Sequence, residues 1–90
     1  MPSDKRAGGK MKELRKSRRW TMRDVYEFTR EVAAVRHSRA FLIPPSRLSD
    51  IETKGVVPNI YRLYTLSFAY ETSLEKLLRF YGLEFRRWKS

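Results

Sequence analysis

Apolar side chains recur along most of this chain at helical spacing, and nowhere do they alternate cleanly enough to mark strands. The opening MPSDKRAGG combines a proline, paired glycines and little apolar surface, so it cannot repay the entropy of ordering. The expectation for residues 1–9 is a flexible basic arm. From Lys10 the pattern changes. Met11, Leu14 and Ser17 share one side at i, i+3 spacing, while Lys12, Arg15, Lys16, Arg18 and Arg19 take the others. This predicts a short basic helix closed by Trp20 as a buried anchor. Thr21, with Asp24 three positions on, opens a second helix. Val25, Phe28, Val32 and Val35 line one side of it, and it continues to about His37. The prolines of SRAFLIPP break that helix, and Pro45 suits the first turn of a third, which runs to Lys54 and stops at Gly55. Pro58 and Asn59 open a fourth helix with Ile60, Leu63, Leu66 and Tyr70 as its stripe. Thr72 or Ser73 caps a fifth, which holds Leu74, Leu77, Leu78 and Tyr81 and is closed by Gly82. The predicted architecture is all-α: one five-helix domain over residues 10–82, then an aromatic, basic tail over 83–90.

Ninety residues of which 41% are apolar can close one modest core. The absence of cysteine excludes disulfides, thiolate zinc sites and cysteine nucleophiles, and fits a reducing cytoplasm. No apolar run has signal-peptide length or approaches the roughly 20 residues of a membrane span, so no membrane partner is expected. A net charge of +10 changes the picture most, because a field of that sign draws polyanions. The charge is gathered: nine basic side chains lie between Lys5 and Arg23, against Asp4 and Glu13 alone. There is no glycine-rich phosphate loop, metal-ligand cluster or nucleophile constellation, so no enzyme, cofactor, metal or small-molecule ligand is expected. His37, the single histidine, reads as a solvated helix-end residue.

The third predicted helix is the informative one. Leu48 and Ile51 share one face; Arg47, Asp50 and Lys54, at i, i+3 and i+7, form another, flanked by Ser46, Ser49 and Thr53. A helix of about ten residues is not stable alone, so Leu48 and Ile51 must pin it while its polar side stays outside. A DNA-reading helix is built this way, and so are many ordinary surface helices.

The order of segments narrows the choice. Met11, Leu14 and Arg15, then Trp20-Thr21, Val25, Ile43, LSDIE, Gly55, Pro58, Leu63 and the LEKLL of residues 74–78 together resemble the lambda-repressor/Cro-like (Xre-type) helix-turn-helix family. The resemblance spans residues 10–82 and is most specific in LSDIETKGVVPNIYRL. It implies a compact five-helix domain whose second and third helices read double-stranded DNA, the third in the major groove. The implied role is a cytoplasmic, nucleoid-associated bacterial or phage-type transcriptional regulator acting by operator occupancy. Carried across position by position, it puts Ser46, Arg47 and Asp50 closest to base edges and Ser49 and Thr53 nearer the rim. Arg23, Lys54 and Asn59 fall where the family touches phosphate. An arginine can take guanine N7 and O6 together; a carboxylate accepts from a cytosine amino group but is repelled by phosphate. Asp50 would then sharpen choice more than affinity, unless it pairs with Arg47 or Lys54 on the helix surface. For Glu52 the resemblance implies a structural ion pair with Arg15.

Between Thr29 and Ile43 the chain is about a dozen residues longer than the tight turn usual in the family. We read two further turns of the second helix and a return segment from Ser38 to Leu42. Arg30, Arg36 and Arg39 there either touch phosphate or keep an extended helix soluble. Met22 and Pro45 stand where many relatives carry polar contacts, which thins sequence readout. Lys5, Arg6 and Lys10 either follow the DNA backbone or minor groove as an arm, or stay solvated. Phe80, Phe85 and Trp88 exceed what so small a domain buries easily, which suggests a homodimer through the C-terminal helix and tail; core packing by the tail is the competing view. The rival function is a protein-interaction module whose basic face docks an acidic partner.

Overall fold

In a computed structural model, which describes residues 3–84, helix α1 (Lys5–Ser17) starts at Lys5 and not at Lys10. The flexible arm expected over residues 1–9 is therefore corrected from Asp4 onward. Asp4 Oδ1 accepts from the Ala7 N–H at 3.0 Å, Ala7 is fully buried, and Gly8 backs onto the carbonyls of Ile51 and Glu52. A Cβ at Gly8 would stand 2.6 Å from the Ile51 oxygen, so this glycine serves close backbone approach, and flexibility was the wrong inference. The Asp4 N–H donates to the Gly55 carbonyl at 2.7 Å, and Ser3 forms an isolated bridge with Val56. Contacts far along the chain thus repay the entropy that the local sequence could not. At its other end, Ser17 is exposed, against its predicted inward position.

Helix α2 (Met22–Arg36) opens with a reciprocal cap: the Asp24 N–H donates to Thr21 Oγ1 at 3.1 Å and the Thr21 N–H to Asp24 Oδ2 at 2.8 Å. Trp20, half-buried where full burial was predicted, tilts against Phe28 at 5.7 Å. Val25 is buried, but Val35 is 77% exposed, because the last turns of α2 outrun the core. Thr29 takes an inward place instead. Its hydroxyl accepts from the Ile43 N–H at 3.2 Å and ties down the returning chain. That return contains a 3-10 turn, Arg39–Phe41.

Helix α3 (Pro45–Ser49) runs unbroken into a π-helical turn, Asp50–Lys54, which closes on Gly55 at φ 73°. The Gly55 and Val56 N–H groups both reach back to the Asp50 carbonyl. Helix α4 (Ile60–Ala69) is capped by Asn59 and buries Leu63, Leu66 and Ala69; Ile60, predicted inward, is 57% exposed. Helix α5 (Leu74–Phe80) is capped by Ser73 and buries Leu77. The described residues are all-helical, with five α-helices and no strand. Their radius of gyration, 13.1 Å, is close to the roughly 12 Å expected of a packed chain this long.

Candidate nucleic-acid interface

The segment Pro45–Lys54 is held from one side. Leu48 and Ile51 are 0% and 2% exposed, and Glu52 is buried beside them. The structure brings Arg15 and Glu52 together in a two-pronged pair: Arg15 Nε to Glu52 Oε2 at 2.8 Å and Nη2 to Oε1 at 3.0 Å. Arg15 Nη1 also donates to the Trp20 carbonyl at 2.8 Å. One guanidinium therefore joins α1, the turn before α2 and the π-helical turn. Hydrogen bonding to Glu52 holds the Arg15 pKa above its ordinary value, against the opposing effect of burial. Tyr70 lies in the field of both groups; burial first, then the charge of Glu52, pushes its phenol well above the ordinary tyrosine range.

The opposite side of the segment faces out. Ser46, Arg47, Thr53 and Lys54 are exposed, and Ser49 and Asp50 are partly so. At 100° per residue, Ser46 and Asp50 stand opposite Leu48 and Arg47 lies on one flank, while Thr53 is exposed on the π-helical turn. Asp50 Oδ1 is 3.6 Å from Lys54 Nζ, so of the partners considered for it the structure supplies Lys54. The Thr53 hydroxyl donates to the Ser49 carbonyl at 2.7 Å and is engaged within the helix. Arg47 and Asp50 also line a cleft of about 320 Å³, whose other wall comes from Val56 to Asn59 and from Arg62. Asn59 Oδ1 caps α4 by accepting from the Arg62 N–H at 2.9 Å, and Arg62 Nε donates to the Leu42 carbonyl at 3.0 Å. The cleft thus pairs two arginines with the N-terminus of a ten-residue helix, a place where anions are favoured. Arg62 was missed in the sequence. The available signal was a basic residue in the turn that Asn59 opens.

The segment 30–42 leaves this side open, with Ser46, Arg47, Thr53 and Lys54 exposed. Phe41 packs edge-on against Tyr61 and Tyr64, with centroids at 5.4 and 5.8 Å, which directs the return onto α4. The remaining candidates are dispersed. Arg23 is exposed at the start of α2, 4.0 Å from Glu27. Lys5 and Arg6 stand exposed on the first turn of α1, beside the Asp4–Gly55 bond, at the far end of Pro45–Lys54 from Ser46. Lys10 is turned to α5, over the Phe80 ring at 5.9 Å, and does not join the others. Arg30 pairs with Glu27, and Arg36 lies over the Tyr64 ring. Phe80 packs partly buried against the core; Phe85 and Trp88 lie outside the described residues. Among the described residues no group of three or more His, Cys, Asp or Glu could hold a metal ion, and no helix is long and apolar enough to cross a membrane.

Comparison with known proteins adds no likeness to this geometry: the chain matches no protein-family model, no curated protein and no solved structure.

Proposed function

We propose that this chain binds double-stranded DNA sequence-specifically, as a lambda-repressor-like helix-turn-helix protein that regulates transcription by operator occupancy. The observation that carries the reading is the two-sided character of Pro45–Lys54. Its inner side is immobilised by Leu48, Ile51 and the Arg15–Glu52 pair, while Ser46 and Arg47 stand exposed and Asp50 partly so on a chain of net charge +10. In this reading the segment enters the major groove and Arg47 takes a guanine edge with two hydrogen bonds. Asp50, steadied by Lys54, accepts from a cytosine amino group and penalises sequences that bring phosphate close. Arg62, Asn59 and the first turn of α4 would meet a phosphate at one flank, and Arg23 another. Ser49 and Thr53 contribute at the rim, Thr53 less because its hydroxyl is engaged.

The test is selection from a randomised duplex pool, and from genomic fragments, at several salt concentrations. Wild type and Arg47→Ala are compared after circular dichroism shows that both are folded. The expected result is an enriched motif, with Arg47→Ala losing roughly tenfold or more in discrimination at one base pair. Salt-sensitive binding without a motif would reduce the function to non-specific coating. No binding even at low salt would overturn the reading and leave the basic face to an acidic protein partner.

A further inference from the structure

Helix α1 carries a row of charge that the packing of the domain does not use. At 100° per residue Lys5, Gly9, Lys12 and Lys16 fall within about 60° of one another, and the three lysines are exposed. From Lys5 to Lys16 the row runs about 16 Å along the helix axis. Among the described residues none of these lysines forms an ion pair, whereas Arg15, Arg18, Arg23, Arg30, Lys54 and Arg79 each do. Gly8 and Arg15, which meet the π-helical turn, mark one flank of the row. Glu13, the one acid of α1, stands on the other.

The row begins where Pro45–Lys54 ends. The Asp4 N–H donates to the Gly55 carbonyl, and a Cβ at Gly55 would stand 2.5 Å from the Lys5 nitrogen. With Gly8 resting on the Ile51 and Glu52 carbonyls and Arg15 holding the Glu52 carboxylate, α1 and Pro45–Lys54 form one rigid surface, and the row extends its cations beyond Lys54. Gly9 shows that something approaches the row. Gly8 is required by the carbonyls behind it, but a Cβ at Gly9 would meet nothing within 4 Å, and Gly9 has no positive φ. A glycine inside a helix costs stability, so one that the fold does not require points to a partner that comes close to the backbone. Bare backbone thus lies between the Lys5 and Lys12 ammonium groups. The row also contains no apolar side chain, which an interface with protein would use at its centre, whereas contacts to DNA are polar and strongly positive. Each strand of a duplex offers one phosphate per 3.4 Å or so of axis, so a row of about 16 Å can meet several.

We infer that Lys5, Gly9, Lys12 and Lys16 seat one backbone strand of the duplex that Pro45–Lys54 enters, with a phosphate lowered onto Gly9 between Lys5 and Lys12. This rests on the proposed DNA binding and widens its footprint past Lys54 onto α1. The contact is made to phosphate alone, so it adds affinity at every sequence and no choice between sequences.

The test is fluorescence anisotropy of a labelled random-sequence duplex titrated with the full chain at several salt concentrations, which requires no known motif. Circular dichroism first establishes that each variant is folded. Lys12→Ala with Lys16→Ala should lower the slope of log affinity against log salt by about two, and equally on a duplex carrying the selected motif. Gly9→Leu should melt at the same temperature or higher, yet bind roughly fivefold or more weakly, since a side chain then stands where the phosphate comes down. Lys76→Ala with Arg79→Ala, an equal loss of charge on α5, should change the slope less than half as much. An α1 double variant whose slope matches wild type, or falls no further than that of the α5 pair, overturns the inference and leaves motif selection by Arg47 untouched. So does Gly9→Leu binding as tightly as wild type. Absence of binding by the wild type at low salt removes both the inference and the DNA binding beneath it.

Discussion

Glu52 gives both carboxylate oxygens to Arg15 from a side chain with no solvent exposure, so removing either charge strands the other in the interior. Glu52→Gln is expected to lower stability in urea by about 3 kcal/mol, and Arg15→Met with Glu52→Leu to cost less than either single change. Tyr70 is a different case: its buried hydroxyl has no hydrogen-bond partner among the described residues. Tyr70→Phe should keep stability within about 1 kcal/mol or raise it. Burial holds the phenols of Tyr70 and Tyr81 above the usual tyrosine value, Tyr81 at about 12. A raised folded pKa means stabilisation that is complete below the unfolded value near 10 and lost as pH rises through the folded one. Melting temperature should therefore hold up to about pH 10 and fall beyond it, less steeply in Tyr70→Phe. The partnership of Arg15 with Glu52 was accessible through family resemblance alone, since 37 residues separate them. Arg62 was half accessible: its place in the first turn after Asn59 is local, whereas its neighbours across the cleft come from another helix.

At the scale of elements, caps and breaks were legible because they depend on residues a few positions apart. Thr21 with Asp24, Asn59 before α4, Ser73 before α5 and Gly55 after the π-helical turn all act locally. The π-helical character of Asp50–Lys54 was not legible, since it rests on backbone N–H groups reaching the Asp50 carbonyl, which no side-chain pattern marks. Helix α2 ends on His37, held at φ 56° where a side chain is strained. His37→Gly should raise stability by about 1 kcal/mol, read as a higher melting temperature with an unchanged circular dichroism spectrum.

For the molecule as a whole, the net charge of +10 makes salt the lever on the proposed function. If about six phosphates are neutralised, DNA affinity should fall on the order of a thousandfold between 50 and 200 mM salt. Arg62→Ala should lower the slope of log affinity against log salt by about one at every sequence, whereas Arg47→Ala should blur the motif. Measuring both slopes separates the cation that positions from the one that reads.

The number of helices, their order and most of their ends were written in the chain, because propensity, capping and apolar spacing act over one or two turns. Burial was not, since it is a relation between segments far apart in sequence. Only the packed molecule could make Lys5 to Gly9 helical, by resting Gly8 on the Ile51 and Glu52 carbonyls. Only it could leave Val35 outside and stand Arg62 across a cleft from Arg47.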